Sequence, residues 1–111
     1  MSRFILSTEA RHDYFDAFDF IANYSPRAAL KWEAMMLDTF QHLAVWPQTG
    51  RIRPEYAPPH IRFWQAGDYV ILYNPSSSPV EIIAIIHGAR NLSELIAARL
   101  FEDDSETDHH D

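Results

Sequence analysis

The 111 residues carry nine Lys plus Arg against sixteen Asp plus Glu, a formal charge of -7. That length is one domain rather than two. A hydrophobic fraction of 47% and an aromatic fraction of 14% exclude a disordered chain. The acidic balance argues against a simple electrostatic nucleic-acid binder, which carries a basic excess.

The charge is unevenly placed. Residues 102–111 hold Glu102, Asp103, Asp104, Glu106, Asp108 and Asp111 and no Lys or Arg. Without them, ten acids face nine bases, a net -1. The reading is therefore one near-neutral domain over 1–101 and an acidic, solvated tail over 102–111. His109 and His110 in that tail are two imidazoles without a framework, and no metal role is expected for them. The chain has no Cys, which removes disulfides, thiolate zinc sites and cysteine nucleophiles. No apolar run is long enough for a membrane span. Thr8–Asp13 interrupts the short apolar start, so no secretory leader is expected and a cytoplasmic location is.

Phe4–Ser7 reads as a first strand. Thr8 is placed as the N-cap of a helix over Glu9–Tyr24, with Glu9 favouring the positive end of its dipole. Phe15, Phe18, Ile21 and Ala22 recur at helical spacing and are expected to face the core, widened by Tyr14, Ala17 and Tyr24. Asp13, Asp16 and Asp19 fall opposite. Ser25 and Pro26 break this helix and start a second, to about Trp46. Its stripe is Ala29, Trp32, Met36, Phe40 and Leu43, flanked by Leu30, Ala34, Leu37 and Ala44. The short connector predicts an antiparallel helical hairpin.

Residues 47–60 hold four of the seven prolines and read as loop without ladders. Three strands follow, at 61–65, 68–73 and 80–87. Turns at 66–68 and 74–79 make them antiparallel. The last is nearly all apolar, as in a strand covered on both faces. Leu92, Leu95, Ile96, Arg99 and Leu100 predict a final helix over 92–101, capped by Asn91 or Ser93. The order is β-α-α-β-β-β-α. This is an α+β fold with an antiparallel sheet on a helical hairpin, the first strand joining the sheet's other side through the helical crossover.

This order resembles the RelE/ParE superfamily of bacterial toxins from type II toxin–antitoxin modules. The resemblance covers about residues 4–98. It rests on Leu6-Ser7-x-x-Ala10, the helical hairpin, and Leu43-Ala44-x-x-Pro47-x-x-Gly50-Arg51. Ile61-Arg62, Tyr69-x-x-x-Tyr73 and Ile83-x-x-Ile86-His87-Gly88-Ala89-Arg90-Asn91 complete it. The last stretch is most similar to the ParE branch.

The resemblance implies two activities of different chemistry. RelE-like members cut mRNA in the ribosomal A site; ParE-like members inhibit DNA gyrase. A small cognate antitoxin neutralises either by wrapping the toxin in a hetero-oligomer, and DNA is met only through that antitoxin. No cofactor is implied.

RNA cleavage through the ribose 2′-OH needs a base, an acid and phosphate-binding cations. Arg62 and Arg90 match two superfamily arginine positions, and His87 could supply an acid or base. Leu95, Ile96 and Leu100 stand where ribonuclease members often present a catalytic Tyr or His. An isolated His is better read as serving the Gly88–Asn91 turn. No Ser-His-Asp spacing, Gly-rich phosphate loop or HExxH motif is present. The expected reading is a gyrase poison without a catalytic set. Arg90, Asn91, Leu95 and Arg99 are assigned to target contact; Arg62, Trp64 and Tyr73 are assigned to the antitoxin. Trp64 and Arg62 share a strand face, which either meets the antitoxin or packs under the helices. The alternatives are a ribosome-dependent endonuclease using Arg62, Arg90 and His87, and a degenerate, non-toxic antitoxin partner.

Overall fold

The computed structural model describes residues 3–102. Strand β1 (Phe4–Leu6) leads into helix α1 (Thr8–Tyr24), which turns at once into α2 (Pro26–Val45). A 3-10 turn at Pro47–Thr49 precedes β2 (Arg51–Ile52). Then come β3 (Arg62–Ala66), β4 (Tyr69–Asn74), β5 (Val80–His87) and α3 (Leu92–Ala97), whose last turn winds as a π-helix over Ala98–Glu102. The acidic tail, with His109 and His110, lies outside the described residues from 103 onward.

The sheet order is β1-β5-β4-β3-β2. Strands β2 to β5 pair antiparallel, while β1 pairs with β5 in parallel, Phe4 opposite Val80 and Leu6 opposite Ile82. A parallel neighbour needs a long crossover, and the helical hairpin is that crossover. The β3–β4 connection is Gly67-Asp68. Gly67 has φ +60° while Asp68 stays at negative φ, the pattern of a tight hairpin turn with glycine at its first central position.

The expected ladder-free loop yields a strand. Prolines at 47, 54, 58 and 59 leave Arg51 and Ile52 with donors and acceptors free. These two residues pair with Phe63 and Arg62. Other boundaries move by a residue. Ser7, not Thr8, caps α1, its hydroxyl accepting from the Ala10 amide at 3.1 Å. The final helix stops as α-helix at Ala97.

The helical hairpin covers one sheet face. From α2, Ala29, Trp32, Met36, Phe40, Leu43 and Ala44 are buried, as the spacing predicts. From α1, the buried set is Ala10, Tyr14 and Ala17, at i, i+4 and i+7. The α1 stripe is thus rotated about one residue from the predicted one. Phe18 and Ile21 are half-buried against the core, but Phe15 and Tyr24 are exposed. Two alanines let α1 approach the sheet closely; Tyr14 is its buried aromatic, and the rest of the aromatic bulk comes from α2 and the strands. Tyr14 packs on Trp32 (ring centroids 5.0 Å) and Phe40 (6.3 Å), and Phe4 on Phe40 (5.4 Å).

A second apolar cluster lies on the opposite face. Phe63, Val70, Leu72, Ala84 and Ile86 are joined there by Ala57 and Ile61 from the proline loop and Ile96 from α3. Strands β4 and β5 are therefore covered on both faces, which explains their almost continuous apolar sequence. Pairing slips between Leu72–Ala84 and Tyr73–Ile82, leaving Ile83 as the extra residue of a bulge. The bulge rephases β5: Val80 and Ile82 before it and Ile85 after it all reach the hairpin side.

Candidate functional site

Tyr73 is fully buried on the hairpin side. Its hydroxyl accepts from the Gly50 amide at 2.8 Å and donates to the Pro47 carbonyl at 2.9 Å. Burial raises its pKa above the ordinary tyrosine value, partly offset by the Gly50 hydrogen bond and the Arg62 charge. Arg62 stands opposite Tyr73 on β3 and donates through Nη1 to the carbonyls of Gly50 (2.8 Å) and Gln48 (3.2 Å). Together they brace the turn that carries β2. Tyr73, assigned to antitoxin contact, is therefore interior.

Trp64 shares the face of Arg62, as alternation requires, and that face packs under the helices. Trp64 is half-buried against the first cluster, its ring 5.5 Å from that of His42. The predicted antitoxin set thus forms an inner brace and flank rather than a patch.

His87, Arg90 and Asn91 sit at the other end of the sheet. His87 pairs with Tyr69, four β4 residues before the Arg62 partner Tyr73. At ~3.4 Å per residue, Arg62 and His87 are separated by about 14 Å along the strands. His87 Nδ1 accepts from the Ala89 amide at 3.1 Å, and its carbonyl accepts from the Arg90 amide at 3.0 Å. The imidazole serves the turn, and its ring meets Tyr69 edge-on at 5.1 Å. Asn91 caps α3: its Oδ1 accepts from the Glu94 amide while its Nδ2 donates to the Glu94 carboxylate. Arg90 is exposed.

The remaining two residues assigned to target contact, Leu95 and Arg99, are engaged within the fold. Leu95 is half-buried against the second cluster. Arg99 forks onto Asp13, with Nη1 to Oδ2 at 2.9 Å and Nη2 to Oδ1 at 3.1 Å. Asp13, expected in solvent, faces the sheet edge.

A feature absent from the predicted sites lies between β1 and the hairpin. A cleft of about 600 Å³ is walled by Ile5, Phe15, Leu37 and Phe40, with Arg11 and Glu33 also lining it. Ile5 is 48% exposed, Phe15 57% and Leu37 48%. Burial, and after it the Glu33 charge, raises the Tyr14 pKa at this cleft. Beside the cleft, β1 is an outer strand. Ser7 donates to Ile82 and Arg3 accepts from Val80, so odd-numbered residues face β5. The backbone groups of Phe4 and Leu6 point to the open side. An apolar cleft beside a free strand edge is the arrangement that receives an extended segment with bulky side chains. The signal in the sequence was Ile5, Phe15 and Leu37, large apolar residues in excess of what one core stripe uses.

A family model for the ParE toxin of type II toxin–antitoxin systems, parDE, matches residues 4–92. The chain belongs to the ParE toxin family. No curated protein gives a significant match. The ParE pattern thus spans β1 through β5 and the His87–Asn91 turn and ends at the first residue of α3. Membership makes the chain a toxin of a type II module, with a cognate antitoxin as the partner that the family implies. No helix among the described residues is long and apolar enough to cross a membrane.

Proposed function

We propose that this ParE-family toxin poisons DNA gyrase by protein contact, without cutting RNA, and that its antitoxin silences it by docking at the β1 edge. One observation carries the reading. The three residues available for RNA cleavage lie at opposite ends of the sheet: Arg62 is tied to Gly50 and Gln48, while His87 and Arg90 form a turn. An acid–base pair must converge on one phosphate within hydrogen-bond reach. Residues about 14 Å apart along the strands do not.

The exposed Arg90 and the Gly88–Asn91 turn are the target contact in this reading. The antitoxin segment pairs with the free edge of β1 and seats apolar side chains in the cleft, with Arg11 and Glu33 selecting its charges. A segment that folds on contact suits such a groove. The complex stays in the cytoplasm, and DNA meets it only through the antitoxin.

The test is supercoiling by purified gyrase. Titrating the toxin should abolish supercoiling, and adding the antitoxin should restore it. Undisturbed supercoiling at excess toxin, with codon-phased cuts in translated mRNA, would establish the endonuclease reading instead.

A further inference from the structure

The Asp13–Arg99 pair joins residues 86 apart in sequence. Both side chains also bind the backbone of β5. Arg99 Nη1 donates to the Ile83 carbonyl at 2.7 Å, and Asp13 Oδ2 accepts from the Ile85 amide at 3.0 Å. Strand β1 ends opposite Ile82, and its last rung is the Ser7 amide on the Ile82 carbonyl at 2.9 Å. Beyond that rung, among the described residues, no strand pairs with this side of β5. A carboxylate and a guanidinium thus continue the ladder where β1 has departed.

The pair also fastens the C-terminal segment. Helix α3 has six residues, too few to be stable by its own hydrogen bonds. From 92 to 101 only Ile96 is fully buried; Leu92, Leu95 and Leu100 are half-buried on the second face. The ion pair keeps both side chains near one-fifth exposed, so its charged hydrogen bonds are shielded from water. The ParE pattern stops where this segment begins.

We propose that residues 92–102 are a strap across the second face of the sheet, closed by the Asp13–Arg99 pair and released as a unit when that pair is broken. Opening uncovers part of the apolar face formed by Leu72, Ala84 and Ile86. Asn91 caps the strap, so its closure also sets the position of the Gly88–Asn91 turn. Resting on the gyrase reading for that one consequence, Arg99 is a positioning residue for target contact.

Hydrogen exchange read by mass spectrometry on the full chain tests the strap without reference to gyrase. In Arg99→Gln and in Asp13→Asn, amides of residues 93–101 and that of Ile85 should exchange faster by about tenfold or more, the size expected from losing charged hydrogen bonds. Amides of Val70–Tyr73 in β4 should keep their wild-type rates. Unchanged exchange over 93–101 overturns the proposal. So does equal acceleration of β4, which would make the pair a support of the whole fold. Wild-type exchange in low urea supplies a check that needs no variant. The strap amides should open at lower denaturant than β4, and opening with β4 overturns the strap as a separate unit. A failed supercoiling assay would leave these outcomes untouched.

Discussion

The Gly50 amide donates to the Tyr73 hydroxyl at 2.8 Å across 23 positions of sequence. The same hydroxyl holds the Pro47 carbonyl, so one phenol fixes both ends of the turn that launches β2. Tyr73→Phe leaves a buried amide and a carbonyl without their partner. Each orphaned group costs about 1–3 kcal/mol. Urea denaturation should report the two losses together, about 2 kcal/mol or more, with an unchanged m-value.

Gly50→Ala tests the same joint from the other side. A Cβ there collides with the Tyr73 hydroxyl and crowds the Phe63 carbonyl. Neither is the free end of a flexible chain, since Tyr73 is pinned at both hydrogen bonds. The expected cost is about 1–3 kcal/mol, as for other overpacked sites. Combining it with Tyr73→Phe should cost less than the sum, because both changes break one contact.

Alkaline pH should destabilise the fold through three tyrosines. Burial raises the pKa of Tyr14, Tyr69 and Tyr73 above 10.0, with the charges of Glu33 and Asp68 adding at Tyr14 and Tyr69. The folded state holds these protons more tightly than the unfolded chain. Their contribution is therefore complete below 10.0 and is lost as pH rises from there through the raised values. Urea midpoints should stay level up to that point and fall beyond it, while phenolate absorbance should register a late-titrating group of three. Midpoints that hold steady above it would contradict this burial pattern.

The sequence carried the element order and the α2 stripe because both rest on local signals: periodicity, Ser25-Pro26, and the turn residues. It misplaced the α1 face because three adjacent registers offered apolar residues. The closeness of Ala10 and Ala17 to the sheet, rather than side-chain size, selected the buried one. Strand β2 was hidden because two residues leave no periodic pattern; their pairing depends on Arg62 and Tyr73 bracing the loop from outside it. Asp13 read as solvated because its partners, Ile85 and Arg99, are more than seventy positions away. The surplus of large apolar residues behind the β1 cleft was visible in the sequence, but its assembly was not, because Ile5, Phe15 and Leu37 come from three separate elements.

Charge placed in the cleft should separate antitoxin binding from stability. Phe15 and Leu37 are about half exposed, so Phe15→Asp or Leu37→Asp should lower folding stability by only about 1–2 kcal/mol, from lost partial burial and weaker helix propensity. A buried anchor of an interface is worth ~2 kcal/mol or more, about thirtyfold in affinity. Calorimetry with the cognate antitoxin should show that loss, and induced cells should lose neutralisation while keeping toxicity. Full affinity in both variants would move the antitoxin off the β1 edge.

Arg90 and Arg62 distinguish the two possible targets. Arg90 is exposed, and among the described residues its side chain makes no hydrogen bond or ion pair. Arg90→Glu should therefore leave the melting temperature near wild type, since surface changes stay within about 0.5 kcal/mol. It should nevertheless abolish inhibition of supercoiling by reversing charge at the contact. Arg62→Ala removes donors to Gly50 and Gln48, so it should lower stability by about 1–3 kcal/mol. At a temperature where that variant is still folded, gyrase inhibition should persist, because Arg62 lies at the far end of the sheet from the Gly88–Asn91 turn. An endonuclease gives the opposite pattern in primer extension: codon-phased cuts vanish with either substitution, since each removes a phosphate-binding cation.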